Sequence, residues 1–243
     1  MLSRLFEFQK KAFPGTISSK RLSEYLKMKG IKVGQGTIFY DAGSITIDYT
    51  RPCLLEIGEY CKITAGVTIL THDYSRSVLR RKYGPIIGEG RKTVIGNNVF
   101  VGMKSIILMG SKIGNNVIIG AGSVVSGCIP DDSVVAGNPA KVIKSLEQHY
   151  ESRKKQYVNE AFEYVTIFKE HYNRLPNIHE MDPFYPIFLE RNLDKIKQNQ
   201  LTINLGGDNE TEVIQYYMNS NPFYDGYNAF IDEWKKRCQE KIK

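Results

Sequence analysis

The sequence predicts a mainly β fold, a parallel β-helix of stacked triangular coils, with short helices before it and an α-helical region after it. Three observations carry that prediction. An aliphatic residue returns at every sixth position, at Ile95, Val101, Ile107, Ile113, Ile119 and Val125. Gly follows at Gly96, Gly102, Gly114 and Gly120, and a small or β-branched residue stands four places on at Val99, Ser105, Ser111, Val117 and Ser123. The same period runs upstream through Val33, Phe39, Ile45, Ile57, Ile63 and Ile69. Six is neither the helical period nor simple strand alternation, and short-period self-similarity marks a solenoid. Six residues make one short strand and a corner, so three such units close a coil of eighteen, with the aliphatic side chain inside and Gly or Asn tolerating the corner backbone. About five coils result, a prism about 24 Å tall at the usual strand spacing.

Residues 1–30 precede the repeat. Leu2, Leu5 and Phe6, then Leu22, Tyr25 and Leu26, have helical spacing. Ser18 or Ser19 is placed to cap the second helix and Gly30 to end it. Two short helices closing the bottom of the coil are expected, since terminal caps protect unpaired strand edges. An apolar first helix also allows docking on a membrane surface.

Residues 31–143 hold the coil. Arg51 breaks the period, and Pro52 beside it predicts a distorted corner. From Ile69 to Ile95 the count overshoots, and residues 73–92 lose the aliphatic period while carrying Arg76, Arg80, Arg81, Lys82, Arg91 and Lys92. This is a basic loop thrown from one edge, and loops on a rigid scaffold often carry function. Beyond Val125, Ile129-Pro130-Asp131-Asp132-Ser133 turns the last coil and Ala136 to Ile143 closes it.

Residues 144–243 change character. Leu146, Tyr150, Tyr157, Phe162, Val165 and Phe168 predict a long amphipathic helix. Pro176, Pro183 and Pro186 punctuate the stretch after it, Gly206-Gly207-Asp208 is a turn, and Glu212 to Met218 and Tyr227 to Arg237 are further helices. Tyr216, Tyr217, Phe223, Tyr224, Tyr227 and Trp234 at such spacing predict a core, although flat aromatic faces also suit sugar rings.

The formal charge of +7 is uneven: +9 over residues 1–143 and −2 over the remainder. A basic repeat half attracts anionic ligands, but no nucleic-acid recognition motif accompanies the charge. Cys53, Cys61, Cys128 and Cys238 show no CxxC pairing and no clustering with His, which fits a reduced, cytoplasmic chain. The first ten residues are too charged for a signal peptide, and no 18-residue apolar run predicts a membrane span; peripheral association stays open.

One His lies inside the repeats, His72, where a coil ends and the basic loop begins. Imidazole titrates near neutral pH and takes a proton from an alcohol or amine without a metal. Asp73 is adjacent, and Glu56 and Glu59 lie sixteen and thirteen residues back, near the eighteen of direct stacking; any of the three suits the task of orienting the ring. His149, His171 and His179 fall outside the repeats, so a metal site of three His is not expected. There is no G-x-S-x-G elbow and no phosphate-binding GxxxxGK[ST].

Ile95-Gly96-Asn97-Asn98-Val99-Phe100-Val101-Gly102, Ile119-Gly120-Ala121-Gly122-Ser123-Val124-Val125 and Ala136-Gly137-Asn138-Pro139-Ala140-Lys141-Val142-Ile143 resemble the hexapeptide-repeat acyltransferases. These are left-handed parallel β-helices, an exception to the right-handed crossover rule. The order of His72, loop and the three quoted stretches is similar to the galactoside and maltose O-acetyltransferases, and more so to the colanic-acid and capsule-type enzymes. The resemblance covers residues 33–144. It implies an acetyl-CoA-dependent O-acetyltransferase acting on a sugar of a surface polysaccharide or its precursor, with an anionic or lipid-linked acceptor and a homotrimer. N-acetylation of an amino-sugar nucleotide and a non-catalytic glycan-binding scaffold are the alternatives. Carried over by position, His72 is the base, its partner acid staying open among Asp73, Glu56 and Glu59. Gly102, Met103 and Ala121 touch the pantetheine arm, Ser126 lies further along it, and Lys141 and Lys144 lie near the CoA phosphates; no metal is implied. Phe100 stands where the sugar enzymes often place Trp, and no counterpart of their sugar-holding Asn or Asp is found.

Overall fold

The computed structural model describes residues 2–203 and 206–240, with side chains from Leu5 onward. The Leu2 side chain, assigned from sequence to an apolar face, lies outside the described residues. Two compact units divide between His149 and Tyr150.

The first unit opens with α1 (Leu2–Ala12) and α2 (Ser19–Met28). The Ser18 hydroxyl accepts from the Arg21 N–H at 3.3 Å and so caps α2. Gly30 follows it with φ of 94°. Leu22, Tyr25 and Leu26 on α2 are buried in the coil's core, and Phe6 from α1 stacks on Tyr25 at 3.9 Å.

The coil then winds through β1 (Lys32–Val33), β2 (Ile38–Phe39), β3 (Thr46–Ile47), β4 (Leu55–Ile57), β5 (Lys62–Ile63) and β6 (Thr68–Ile69). After α3 (Arg76–Tyr83) come β7 (Thr93–Ile95), β8 (Phe100–Val101), β9 (Ile106–Ile107), β10 (Lys112–Ile113), β11 (Ile118–Ile119) and β12 (Val124–Val125). It finishes with β13 (Cys128–Ile129), β14 (Ser133–Gly137) and β15 (Ala140–Ser145). Three parallel faces result. The first is β1-β4-β7-β10-β13, the second β2-β5-β8-β11-β14 and the third β3-β6-β9-β12, with β15 antiparallel on the outer edge of β14.

The second residue of each two-residue strand points inward, and these aliphatic side chains form one buried column with the helical lid. The interior Ser105, Ser111 and Ser123 are fully buried, and each donates to a backbone carbonyl, Ser123 to Gly120 at 2.6 Å and Ser105 to Gly120 at 3.0 Å. Buried hydroxyls need such partners.

At the edge between first and second faces, Asn98 and Asn116 have φ of 53° and 56°, and Asp132 51°. Their side chains form a ladder: Asn98 Nδ2 donates to Asn116 Oδ1 and Asn116 Nδ2 to Asp132 Oδ1, both at 2.9 Å. Gly precedes them for a different reason. A Cβ on Gly96 would meet the Gly114 carbonyl oxygen at 2.5 Å, so close stacking, not a positive φ, excludes larger residues there.

The first coil departs from strict eighteen-residue spacing. Val33 pairs with Ile57 and Phe39 with Ile63, twenty-four apart, and Ile47 with Ile69. The third-face position is therefore Ile47, two residues beyond the six-fold Ile45, which is nevertheless buried. Arg51 is not a face position; it sits in a corner excursion with a 3₁₀ turn at Pro52–Leu54. The 73–92 excursion carries α3, a helix with no buried residue, which explains why apolar periodicity did not reveal it.

In the second unit, α4 (Leu146–Tyr172) contributes Ala161, Phe162, Val165 and Phe168 to a core with α5 (Leu193–Gln198), α6 (Glu210–Met218) and α7 (Gly226–Glu240). Phe162 stacks on Phe230 at 5.0 Å, and the Trp234 indole donates to Thr166 at 2.9 Å. Of the aromatics marked in the sequence, Tyr217 and Trp234 are core, whereas Tyr216 and Phe223 are exposed. Although the coil gives the first unit its core, its strands are so short that helical residues outnumber strand residues in the chain.

Ile119 is fully buried in the column. Ile119→Ala is expected to cost about 2–5 kcal/mol, whereas Ile86→Ala, at 82% exposure on the excursion, should stay within about 0.5 kcal/mol. Urea denaturation midpoints of the two variants test this.

Candidate active site

His72 leaves the coil at the edge between third and first faces. The loop returns to the same corner, where the Arg91 N–H donates to the Thr71 carbonyl at 3.0 Å. Arg51 ties the loop to the first coil, its Nη1 donating to the Glu89 carbonyl at 2.5 Å. The residue that breaks the hexad thus anchors the excursion.

The ring's partner is Asp48, an acid that sequence reasoning missed. His72 Nδ1 lies 2.5 Å from Asp48 Oδ2, with side-chain exposures of 12% and 7%. The same carboxylate accepts from the Thr71 hydroxyl, and its Oδ1 from the Thr50 hydroxyl at 2.7 Å and N–H at 3.0 Å. Burial opposes its ionisation, but the hydrogen bonds from Thr71, Thr50 and His72 outweigh that and hold the carboxyl well below the usual carboxylate range. An ionised carboxylate only accepts, so Nδ1 carries a proton, and in the neutral ring the lone pair is then on Nε2. Nε2 makes no hydrogen bond among the described residues. The Tyr74 ring stands edge-on to the imidazole at 5.5 Å.

The acids expected from sequence are engaged elsewhere. Asp73 accepts from the Ser75 N–H at 2.8 Å, at the start of the excursion. Glu56 bridges Lys32 and Lys92, each at 2.9 Å, and these bonds lower its pKa. Glu59 lies on the Asn-ladder edge, its N–H donating to Asn97 Oδ1 at 2.9 Å. Asp48 escaped because it stands twenty-four residues before His72 in the lengthened first coil, where the third-face register is already twenty-two, Ile47 with Ile69, and not eighteen.

The expected cofactor residues divide among the three edges. Gly102, Met103 and Ala121 share the edge between second and third faces; a Cβ on Gly102 would meet the Ala121 nitrogen at 2.5 Å. Gly120 stacks under Ala136 there, and Ala136 pairs with Lys141 on β15. These residues form one column of small side chains topped by an exposed lysine. The Gly102 N–H is spent on the Ile119 carbonyl at 2.8 Å, whereas the N–H groups of Met103 and Ala121 make no hydrogen bond among the described residues. Met103 is 52% exposed. Lys144 pairs with Val134, nearer the Asn-ladder edge, and is not part of that column. Ser126 follows β12 on the His72 edge, two coils above it.

Beside Asp48, a groove of about 450 Å³ is lined by Glu7, Lys10, Lys11, Thr46, Tyr49 and Thr50 among others. Lys10 Nζ donates to the Ile45 carbonyl at 2.7 Å, and burial lowers its pKa. The Tyr49 hydroxyl is pushed up, by burial first and then by Glu7.

Among the described residues no group of three or more His, Cys, Asp or Glu gathers as metal ligands, and no helix is long and apolar enough to cross a membrane.

A profile of the bacterial transferase hexapeptide (six repeats) matches residues 92–127. CapG of Staphylococcus aureus is 40% identical over 140 residues, 58% of this chain and 80% of that protein. The galactoside O-acetyltransferase of Escherichia coli (strain K12) is 35% identical over 126 residues, 50% of this chain and 59% of that enzyme. A solved hexapeptide-repeat acetyltransferase of Vibrio cholerae O1 biovar eltor, complexed with acetyl coenzyme A, is 20% identical across 60% of this chain and 87% of its own, at a TM-score of 0.45. With the transferase repeat lying on the coils that carry Gly102, Met103 and Ala121, and the likeness to CapG reaching across four fifths of that protein, the chain belongs to the hexapeptide-repeat acyltransferase family.

Proposed function

We propose that the protein transfers an acetyl group from acetyl coenzyme A to a hydroxyl of a sugar in a surface polysaccharide or its precursor, with His72 as general base. The observation that carries this reading is the His72–Asp48 pair, which leaves a lone pair on Nε2 at an open edge. Nε2 takes the proton as the sugar oxygen attacks the thioester carbon. The tetrahedral intermediate then collapses, the C–S bond breaks, and the imidazolium returns the proton to the thiolate. Asp48 stabilises the imidazolium and fixes the tautomer.

The column at the other edge suits the donor. Its small side chains let an extended arm lie against the backbone, the N–H groups of Met103 and Ala121 are available to amide or thioester oxygens, and Lys141 is exposed for a phosphate. Gly102 shapes the column, and its N–H serves the coil. Of these donors we assign the oxyanion role to Met103. Lys144 and Ser126 are weaker candidates for the donor because neither lies in this column.

His72 and Met103 stand on opposite edges of the third face, so completing one reaction centre calls for a second copy of the chain. That requirement supports a homotrimer in which each cleft takes His72 from one protomer and the donor column from its neighbour. The excursion that starts beside His72 carries Arg76, Arg80, Arg81 and Lys82 on a helix that buries nothing, which favours an acceptor carrying negative charge.

Three outcomes are expected. His72→Ala should lower kcat by about 10²–10⁴-fold with binding of the donor retained, read as thiol release from acetyl coenzyme A. Near-normal turnover would sink the assignment. The product should lose its acetyl group under mild base, as an ester does and an amide does not. Arg80→Ala/Arg81→Ala should raise KM for an anionic acceptor and flatten its salt dependence, with kcat little changed.

The Asp48 pairing also has a stability signature. A depressed folded-state pKa contributes stability that is complete above the ordinary aspartate value of about 3.9 and fades as pH falls toward the folded-state value. Wild type should therefore melt above Asp48→Asn near neutral pH, with the gap narrowing below about pH 4. A gap that held constant into strong acid would contradict the charge assigned to Asp48.

A further inference from the structure

The second unit carries a trough that the transfer reaction leaves unused. Two grooves of about 640 and 390 Å³ adjoin, sharing Ile178, Gln198 and Asn199 as common walls. Five carboxamides line it: Asn177, Gln198, Asn199, Gln200 and Asn221. Asn177 Oδ1 is occupied by the Glu180 N–H at 2.9 Å, and Asn199 Nδ2 by the Lys195 carbonyl at 2.8 Å. The side chains of Gln198, Gln200 and Asn221 make no hydrogen bond among the described residues, and neither does the Asp225 carboxylate beside them.

The walls are held from behind. Gln198 ends α5, whose Ile196 is buried in the core, and Gln200 is turned by a φ of 53° ahead of the buried Leu201. The Tyr227 ring packs edge-on to Phe188 at 5.1 Å, and its hydroxyl is fixed on the Pro176 carbonyl. The backbone of the trough is therefore fixed, while the exposed side chains of Gln198, Gln200 and Asn221 turn to meet a ligand at some cost in rotamer entropy.

Charge narrows the ligand class. Arg191 is spent on its own chain, its guanidinium donating to Leu189 O at 2.7 Å, Pro186 O at 2.8 Å and Ser220 Oγ at 2.9 Å. Lys195 is paired with Glu190. Among the described residues no cation in the trough is left to receive a phosphate or carboxylate, which disfavours nucleotides and acidic polymers. A carboxamide offers donor and acceptor side by side, which matches neighbouring sugar hydroxyls, and an aromatic wall suits the apolar face of a pyranose.

We infer that this trough is a second, non-catalytic binding site for a neutral sugar chain longer than a monosaccharide. It rests on the second unit alone and not on the role of His72.

The test uses the full-length protein and isothermal titration with maltohexaose, cellohexaose and the N-acetylglucosamine hexamer, each to about 10 mM. At least one should bind, with affinity falling at least about tenfold in Gln198→Ala/Asn221→Ala and unchanged in His72→Ala. Should the double variant melt early, the isosteric Gln198→Glu carries the same expectation. Failure of all three sugars to bind overturns the inference. Equal binding by well-folded variants, or a preference for hexagalacturonate, does so too. Loss of transfer activity in His72→Ala with this binding intact separates the two proposals.

Discussion

Everything in the first unit depends on coils stacking in register at the separation of hydrogen-bonded strands. That separation is set by the backbone ladder, and it leaves no room for a Cβ at positions such as Gly96, whose neighbour in the next coil is a carbonyl oxygen. It also forces the inward residues into one continuous column, so each coil is buried by those above and below it and none is stable alone. The helical lid supplies the burial the lowest coil lacks.

With the faces fully determined by stacking, chemistry is confined to the edges, and the three edges differ. The first is closed by a ladder of carboxamides ending on the Asp132 carboxylate and is structural. The second is smooth and exposes backbone donors. The third is where the chain leaves and rejoins the coil, and it holds the one imidazole of the repeats. Asp48 there is a buried acid whose lost hydration is replaced by five hydrogen bonds from three residues. Such a carboxylate stays charged where a bare one would take up a proton, so it can hold a neutral imidazole in a single tautomer.

The period of six made the faces, the buried small residues and His72's corner legible, since each hexad obeys the same steric rule. Glu56 and Glu59 looked suitable because a regular coil brings residues eighteen apart together. The first coil is longer, and only the fold shows a local register of twenty-two to twenty-four; the signals of it in the sequence are Arg51, a charge where the period calls for an aliphatic, and Pro52 beside it. α3 was invisible for the opposite reason, since it buries nothing and so imprints no apolar period. In the second unit α4, α6 and α7 were readable, but α5, only six residues long, was not, nor was which aromatics are core: Tyr216 and Tyr217 are adjacent in sequence, and one is exposed while the other is buried.

The two irregular stretches of the third edge, residues 48–54 and 73–92, are fastened to each other by Arg51, but they differ in what else holds them. Tyr49 stands edge-on to Tyr25 of the helical lid at 5.6 Å and packs against the first unit's core, whereas α3 in the longer stretch buries nothing. The longer stretch is therefore the replaceable one: exchanging it alters what surrounds the imidazole while every strand keeps its partner, and the shorter stretch stays behind as the floor that holds Asp48 in place.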